Sequence, residues 1–387
     1  MQTVGSRLDG NRGIGSGFDF LRIFLALAIV AWHSRNVVHW TADQATSSPW
    51  WFAEYSLVPM FFALSGFLVA ASGMRLSLRD FLINRGLRIL PALALEILFS
   101  AFLLGPIFTD LTLKQYFSSP LLYHYLTNMV GLVNFYLPGV FVHHPWTMVN
   151  GALWTIPYEM MCYVVLSALI VTRWLRSTRA IAVCTVFLMI IALLCRNIPG
   201  LESTFDHGGN SVFDKAIRFF FTGEQSRLLL SFVVGVLFYK IRHRIPYSRA
   251  LMAAAMAVCL IIAFIGNHSW FDNAALRLIA IPTLTYIVAF AGVTKIPISW
   301  PYTQGDYSYG VYLYHLPFQQ MLYSIFPTVS ALQLFLLSVP TCTAVAAFSW
   351  HTVEKPILRL RKRFSFVAKV SETEVRSAMA SSVADTR

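Results

Sequence analysis

The chain has 387 residues, 57% of them hydrophobic and 12% charged, about half the charged fraction of a soluble domain, which excludes a soluble globular enzyme and indicates a polytopic membrane protein. The net charge of +12 would suit nucleic acid, but the basic residues cluster between apolar runs, as cytoplasmic loops do under the positive-inside rule, so no nucleic-acid partner is expected. The cysteines, Cys162, Cys184, Cys195, Cys259 and Cys342, lie in or beside apolar stretches and form no CxxC pair, so neither a disulfide framework nor a metal site is expected.

A membrane-spanning helix needs about 20 mostly apolar residues. Ten segments qualify: 18–34, 51–72, 89–109, 153–172, 180–195, 226–240, 250–266, 275–293, 307–325 and 331–350. No cleavable signal precedes them. With the N-terminus in the cytoplasm, most of the basic residues fall on the inner side: Arg7 and Arg12, the arginines from Arg75 to Arg88, those from Arg173 to Arg179, Lys240 to Arg249, Lys295, and the C-terminal cluster from Lys355. Alternation then predicts an all-α bundle of about ten transmembrane helices with both termini inside. The chain divides into a cytoplasmic lead (1–17), a membrane domain (18–350) and a cytoplasmic tail (351–387) whose end, 364–387, reads as disordered. The outer loops are 110–152, which is aromatic and carries His143, His144 and Trp146, and 196–225. No segment is long enough for a soluble catalytic domain, so any chemistry belongs to the bundle.

The first span, FDFLRIFLALAIVAWHS, contains Arg22 and His33. Their spacing is three helical turns plus about 20°, with a rise of about 16 Å, so both lie on one face. Ionisable groups within a span are costly and mark a site or a pathway; the alternative is that Arg22 snorkels to the headgroups and His33 sits at the outer interface. In INRGLRIL, Arg85 and Arg88 are neighbours on one face at the cytoplasmic mouth of the third span. Arginine forks suit phosphate, although plain positive-inside charge has the same appearance. In NGALWTIPYEMMCYVV, Glu159 falls at a depth close to that of His33, and Pro157 disturbs the helix start. A histidine beside a carboxylate is a general-base arrangement, and a structural ion pair elsewhere is the alternative. His315 and Pro317 lie within the ninth span, where a hydrogen-bonded structural histidine is the simplest reading; Glu54 and Glu96 read as structural.

Taken together, these segments resemble the acyltransferase-3 family, the multi-pass membrane O-acyltransferases of bacterial surface polysaccharides. The likeness runs over about residues 16–363. It rests on the Arg22–His33 helix, on MFFALSGFLVA in the second span, on the RGLR of Arg85 and Arg88, on LWTIPYE from Trp154 to Glu159, on YSYGVYLYHLPF, and on WHTVEKPILRL with Glu354. The chain departs from the family's usual opening, with Phe18–Asp19–Phe20–Leu21–Arg22, and carries the Pro157–Tyr158 variant before Glu159. No fused esterase-like domain is expected after the last span, which favours a stand-alone polysaccharide modifier.

The resemblance implies a bacterial inner-membrane enzyme that moves an acyl group, acetyl by family habit, from acyl-CoA (acetyl-CoA as donor) to a carbohydrate hydroxyl. His33 is then expected as general base oriented by Glu159 or another carboxylate, with a His33-linked acyl intermediate as the alternative, and Arg22, Arg85 and Arg88 are expected to hold the donor's phosphates. Asn150, Trp154 and His315 complete the expected site on the acceptor side. The rival expectation is a proton-coupled secondary transporter with His33 and Glu159 as its relay.

Overall fold

Apolar runs become helices throughout the computed structural model, which describes residues 2–11, 13, 15–39, 49–197, 226–267, 270, 273–297 and 302–364. In chain order the main helices are α1 (Val4–Gly10), α2 (Phe18–His39), α3 (Trp50–Arg75), α4 (Leu78–Phe99), α5 (Ile156–Val171), α6 (Thr178–Asn197), α7 (Ser226–Lys240), α8 (Arg249–Ile265), α9 (Ala274–Val293), α10 (Ser308–Ile325), α11 (Ala331–Ser349) and α12 (Lys355–Phe364). A helix stands on each apolar segment named above. Among the described residues, six helical stretches are long and apolar enough to cross a membrane, and Thr178–Ile191 and Arg249–Ile265 are shorter apolar helices. The architecture is all-helical; β pairing among the described residues is limited to isolated bridges, Thr3 with Pro246 and Thr109 with Val140.

Several boundaries differ from the expected ones. The third span starts at Leu78 rather than at 89, because the Ser77 side chain caps it by accepting from the Asp80 N–H. Arg79, Arg85 and Arg88 therefore project from a helix and not from a loop. At the far end, a π-helical turn, Trp350–Glu354, carries α11 into α12, so the expected division at 350 falls inside continuous helix. The N-terminal lead is also structured. Thr3 and Ser6 form a capping box on α1, whose Val4 and Leu8 are buried, and the Val4 N–H reaches Ile245 O at 3.0 Å. Loop 110–152 contains two short helices, Leu113–Ser118 and Pro120–Leu126. The expected disordered tail from 365 and the 198–225 part of the second outer loop lie outside the described residues.

Lipid removes the hydrophobic contrast that packs soluble helices, so close approach relies on small residues. Gly66 on α3 lies directly against the Phe232 carbonyl of α7, and Gly235 on α7 lies against the Ala63 carbonyl of α3; a Cβ on either would overlap that oxygen. This crossing is one pillar of the bundle. The other is α10, which packs against both α2 and α11.

Pro317, inside α10, has no N–H to donate to the carbonyl four residues earlier. That carbonyl, Leu313 O, is taken by Asn150 Nδ2 at 3.0 Å. The same Asn150 nitrogen reaches Glu96 Oε1 at 2.9 Å, and Asn150 Oδ1 accepts from the Ala152 N–H. Asn150 is fully buried with both ends of its amide occupied. It joins the outer loop to α4 and α10 at the level of His315.

Candidate active site

A cavity of about 960 Å³, counted to its open mouth, is enclosed by α2, α3, α4, α5, α7 and α10. Its lining includes Arg22, Arg85, Arg88 and Glu159, an apolar wall with Val58, Phe61, Phe62, Val69 and Phe232, and Thr155 and Tyr312. Arg85 and Arg88 reach the cavity together because residues three apart share a helix face. Glu159 enters from the first turn of α5. A 3₁₀ turn, Gly151–Thr155, leads into that helix, and Pro157 sits in its opening turn, where no N–H is needed. A carboxylate at this point also complements the positive end of the helix dipole.

The arginines form one network with carboxylates from distant parts of the chain. Arg88 Nη2 donates to Asp306 Oδ2 at 2.7 Å, and Arg22 Nη1 shares that oxygen at 3.4 Å. Arg88 Nη1 also lies 3.6 Å from Glu354 Oε2, whose side chain is 2% exposed. The Arg88 guanidinium sits over the Tyr309 and Trp350 rings. Arg22 holds Asp19 as well, at 3.0 Å. Asp306 lies in the loop just before α10. Burial pushes its carboxyl up, but Arg88, Arg22 and Ser308 outweigh burial and leave it below the usual carboxylate range. Glu159 accepts from Tyr163 OH at 2.6 Å and faces Arg85 and Arg88. Arg85 sits over the Tyr163 ring, with its Nε buried and unpaired.

Beyond Tyr312 lies a second cluster. Tyr312 OH is 2.7 Å from Thr155 Oγ1, and its ring packs on Phe61. Its backbone carbonyl is 2.6 Å from His315 Nδ1. His315 Nε2 is in turn 2.6 Å from His33 Nδ1. The imidazole planes differ by 8° with centroids 4.9 Å apart, so the rings meet edge to edge in nearly one plane, as an N–H···N bond requires. Gln319, one turn beyond His315, donates to Val30 O at 2.9 Å and to Ser34 Oγ at 2.7 Å, which fixes α10 against α2 beside His33. The Trp146 ring closes on His33 at 5.4 Å. The loop that brings Trp146 is anchored by Gln320, which donates to the Trp146 and Met148 carbonyls and accepts at 2.7 Å from His144, itself 2.9 Å from Ser324 Oγ. Burial holds the His144 imidazole below its ordinary range.

The expected residues thus separate into three groups. Arg22, Arg85, Arg88 and Glu159 line one cavity, so Glu159 stands with the arginines and not beside His33 as expected. His33 pairs with His315, not with Glu159, because α10 runs along α2 whereas α5 packs on α3 and α4. Asn150 and Trp154 do not line the cavity. Asn150 is consumed by the Pro317 defect and Glu96, and Trp154 packs edge-on against Tyr158. His315 is fully buried, with both ring nitrogens engaged, so it supports His33 and presents nothing to an acceptor. Sequence reasoning missed Asp306, although an acid at the inner end of a span among basic residues was a readable signal, and it missed Tyr312. Among the described residues no cluster of three or more metal-ligating side chains occurs.

Comparison with known proteins identifies the family. A family model described as "Acyltransferase domain" matches residues 16–350. An "O-acetyl transferase" of Shigella phage Sf6 is 24% identical over 355 residues, covering 88% of this chain and 95% of the relative. "Nodulation protein 10" of Rhizobium leguminosarum bv. viciae is 26% identical over 387 residues, covering 92% and 97%. No solved structure matches the chain.

Proposed function

Because this chain belongs to the acyltransferase-3 family and is a membrane acyltransferase, we propose that it moves an acyl group, acetyl as first choice, from acyl-CoA to a hydroxyl of a carbohydrate such as a surface polysaccharide or lipid-linked glycan. The observation that carries this reading is the cavity itself, which is lined both by guanidiniums and by Tyr312, whose carbonyl contacts His315 of the histidine pair. In this reading Arg85, with help from Arg22 and Arg88, receives donor phosphate at the cytoplasmic end. The apolar wall takes the uncharged arm of the donor. His33, partly exposed, takes the proton of the acceptor hydroxyl as that oxygen attacks the thioester carbonyl. The ester C–O bond forms, the C–S bond breaks, and the proton passes on to the leaving thiolate. Glu159 takes a different part from the expected one: it is the counter-ion of Arg85 and Arg88. The arrangement suits a bacterial inner membrane with donor inside and acceptor outside. The name of the phage relative favours oxygen as acceptor atom and acetyl as cargo.

The test compares cell-surface glycans from cells with the wild-type protein, the His33→Ala variant and no protein, by mass spectrometry before and after mild alkaline de-esterification. A base-labile mass increment present only with wild type is the expected result, and its size names the acyl group. Full modification by H33A at normal membrane abundance would refute the role of His33. Absence of any increment with folded wild-type protein would refute the glycan acceptor.

A further inference from the structure

We infer that His315 is a positioning residue that sets the tautomer of His33, so that the base is His33 Nε2 and its partner is a second imidazole where a carboxylate was expected. The inference rests on the transfer reading for its activity consequences, but its argument is one of hydrogen-bond donors and acceptors. A backbone carbonyl can only accept. His315 Nδ1, 2.6 Å from Tyr312 O, therefore carries a proton. In a neutral imidazole the other nitrogen is then bare, so His315 Nε2 accepts. The atom facing it at 2.6 Å, His33 Nδ1, must donate. His33 is left with its proton on Nδ1 and a lone pair on Nε2. The nearly coplanar rings give the bond between the two histidines good alignment.

Three features hold this chain in register. Gln319 ties the next turn of α10 to Val30 and Ser34 on either side of the relevant turn of α2. Asn150 occupies the carbonyl that Pro317 frees two residues before His315. Trp146 limits His33 from its other side. Among the described residues no carboxylate is hydrogen-bonded to either ring, so the hydrogen bond that orients His33 comes from His315. When His33 Nε2 receives the acceptor's proton, the new charge is shared along Nδ1–H to His315 and on to the Tyr312 carbonyl dipole. When the thiolate leaves, Nε2 gives that proton up and the pair returns to its starting state. His315 gains and loses no proton in the cycle.

The test uses His315→Gln and His315→Asn in the full-length membrane protein. Gln can donate to Tyr312 O and still reach His33 with its oxygen; Asn keeps the backbone contact but is too short to meet His33. H315Q is expected to keep KM within about twofold of wild type and to retain at least a tenth of kcat. H315N is expected to lose kcat by about 10²- to 10³-fold with KM unchanged, within the range for general-base contributions. If His315 acts through His33, the H33A/H315N double variant will be no slower than H33A. A readout that needs no acceptor accompanies this: the rate at which diethyl pyrocarbonate modifies His33, followed by peptide mass. That rate is expected to fall at least tenfold in H315N and to be retained in H315Q. Losses that multiply in the double variant, equal activity of H315N and H315Q, or an unchanged His33 modification rate in H315N would overturn the inference. If wild type forms no ester, the transfer reading fails, and the modification rates still decide the tautomer.

Discussion

Asn150→Ala tests how the bundle places His315. The substitution removes the donor from two buried acceptors, Leu313 O and Glu96 Oε1. Glu96 keeps Ser100 Oγ at 2.9 Å, so its loss is partial; Leu313 O loses the donor that stands in for the N–H missing at Pro317. An orphaned buried acceptor costs about 1–3 kcal/mol, and with the smaller loss at Glu96 the total is about 1–4 kcal/mol. Unfolding entropy of about 2.1 cal/mol/K per residue would make this at least about 1–5 °C in Tm. A membrane protein keeps much of its helix on unfolding, so the entropy is smaller and the shift larger. The diagnostic step is the same substitution in a Pro317→Ala background. There the restored N–H at 317 donates to Leu313 O, only the Glu96 contact is lost, and the cost of N150A falls by about 1–3 kcal/mol. Thermal melts of the four proteins in detergent, followed by tryptophan fluorescence, measure the cycle. An identical loss in both backgrounds would refute the argument that Asn150 serves the carbonyl freed by Pro317.

Other substitutions separate the arginines. Arg88→Met strands Glu354, 2% exposed, without its cation; a broken buried pair costs about 3–5 kcal/mol, so low membrane abundance and a depressed Tm are expected, and wild-type stability would contradict the network. Arg85→Met should cost less stability and instead raise the apparent KM for the donor by about 10- to 150-fold, the equivalent of a charge-assisted bond of about 1.5–3 kcal/mol; an unchanged KM would remove Arg85 from the donor site. Asp306 gives a pH signature. Its folded carboxyl is held low, so its contribution is present above the unfolded carboxylate value of about 3.9 and is lost as pH falls through the folded value. Melts of wild type and Asp306→Asn should therefore differ most at neutral pH and converge in acid; a pH-independent difference would show that the ion pairs are not its source.

Much of the fold was legible because lipid imposes a simple demand. Runs of apolar residues long enough to satisfy their own backbone had to be helices, and Arg22 and His33 had to share a face whatever their neighbours. What the pattern could not supply was partners. His33 and His315 are 282 positions apart, and their meeting depends on how α10 lies along α2, which is set by local locks such as Gln319. Glu159 looked equally placed for His33 by depth, but depth in the membrane is one coordinate of three. Asn150 was expected on the acceptor side of the site. Its true employer is a defect: Pro317 guarantees an orphan carbonyl at Leu313, which sequence reveals, while the identity of the donor that fills it depends on a loop far away in the chain. The Ser77 cap was also readable, and it explains why Arg85 and Arg88 stand on a helix that begins earlier than hydropathy alone suggests.

The cavity's charges explain why its cations are arginines. Arg22, Arg85 and Arg88 face Asp306, Glu354 and Glu159, so the site is close to neutral without a ligand, as a membrane interior demands. A lysine so paired would have its single charged centre committed. A guanidinium has five N–H donors spread over a planar fork, and the contacts here are sparing: Arg22 and Arg88 meet Asp306 through one shared oxygen. Edges of each fork therefore stay available while its charge is balanced. A phosphate can add to such a site without first expelling a carboxylate. The histidine end follows the opposite rule. No carboxylate is hydrogen-bonded there among the described residues, and a neutral imidazole orients another, so charge appears only when the acceptor's proton arrives. In the proposed reading the bundle thus keeps permanent charge in the cavity, where donor phosphates would need it, and transient charge at the histidine pair beyond Tyr312.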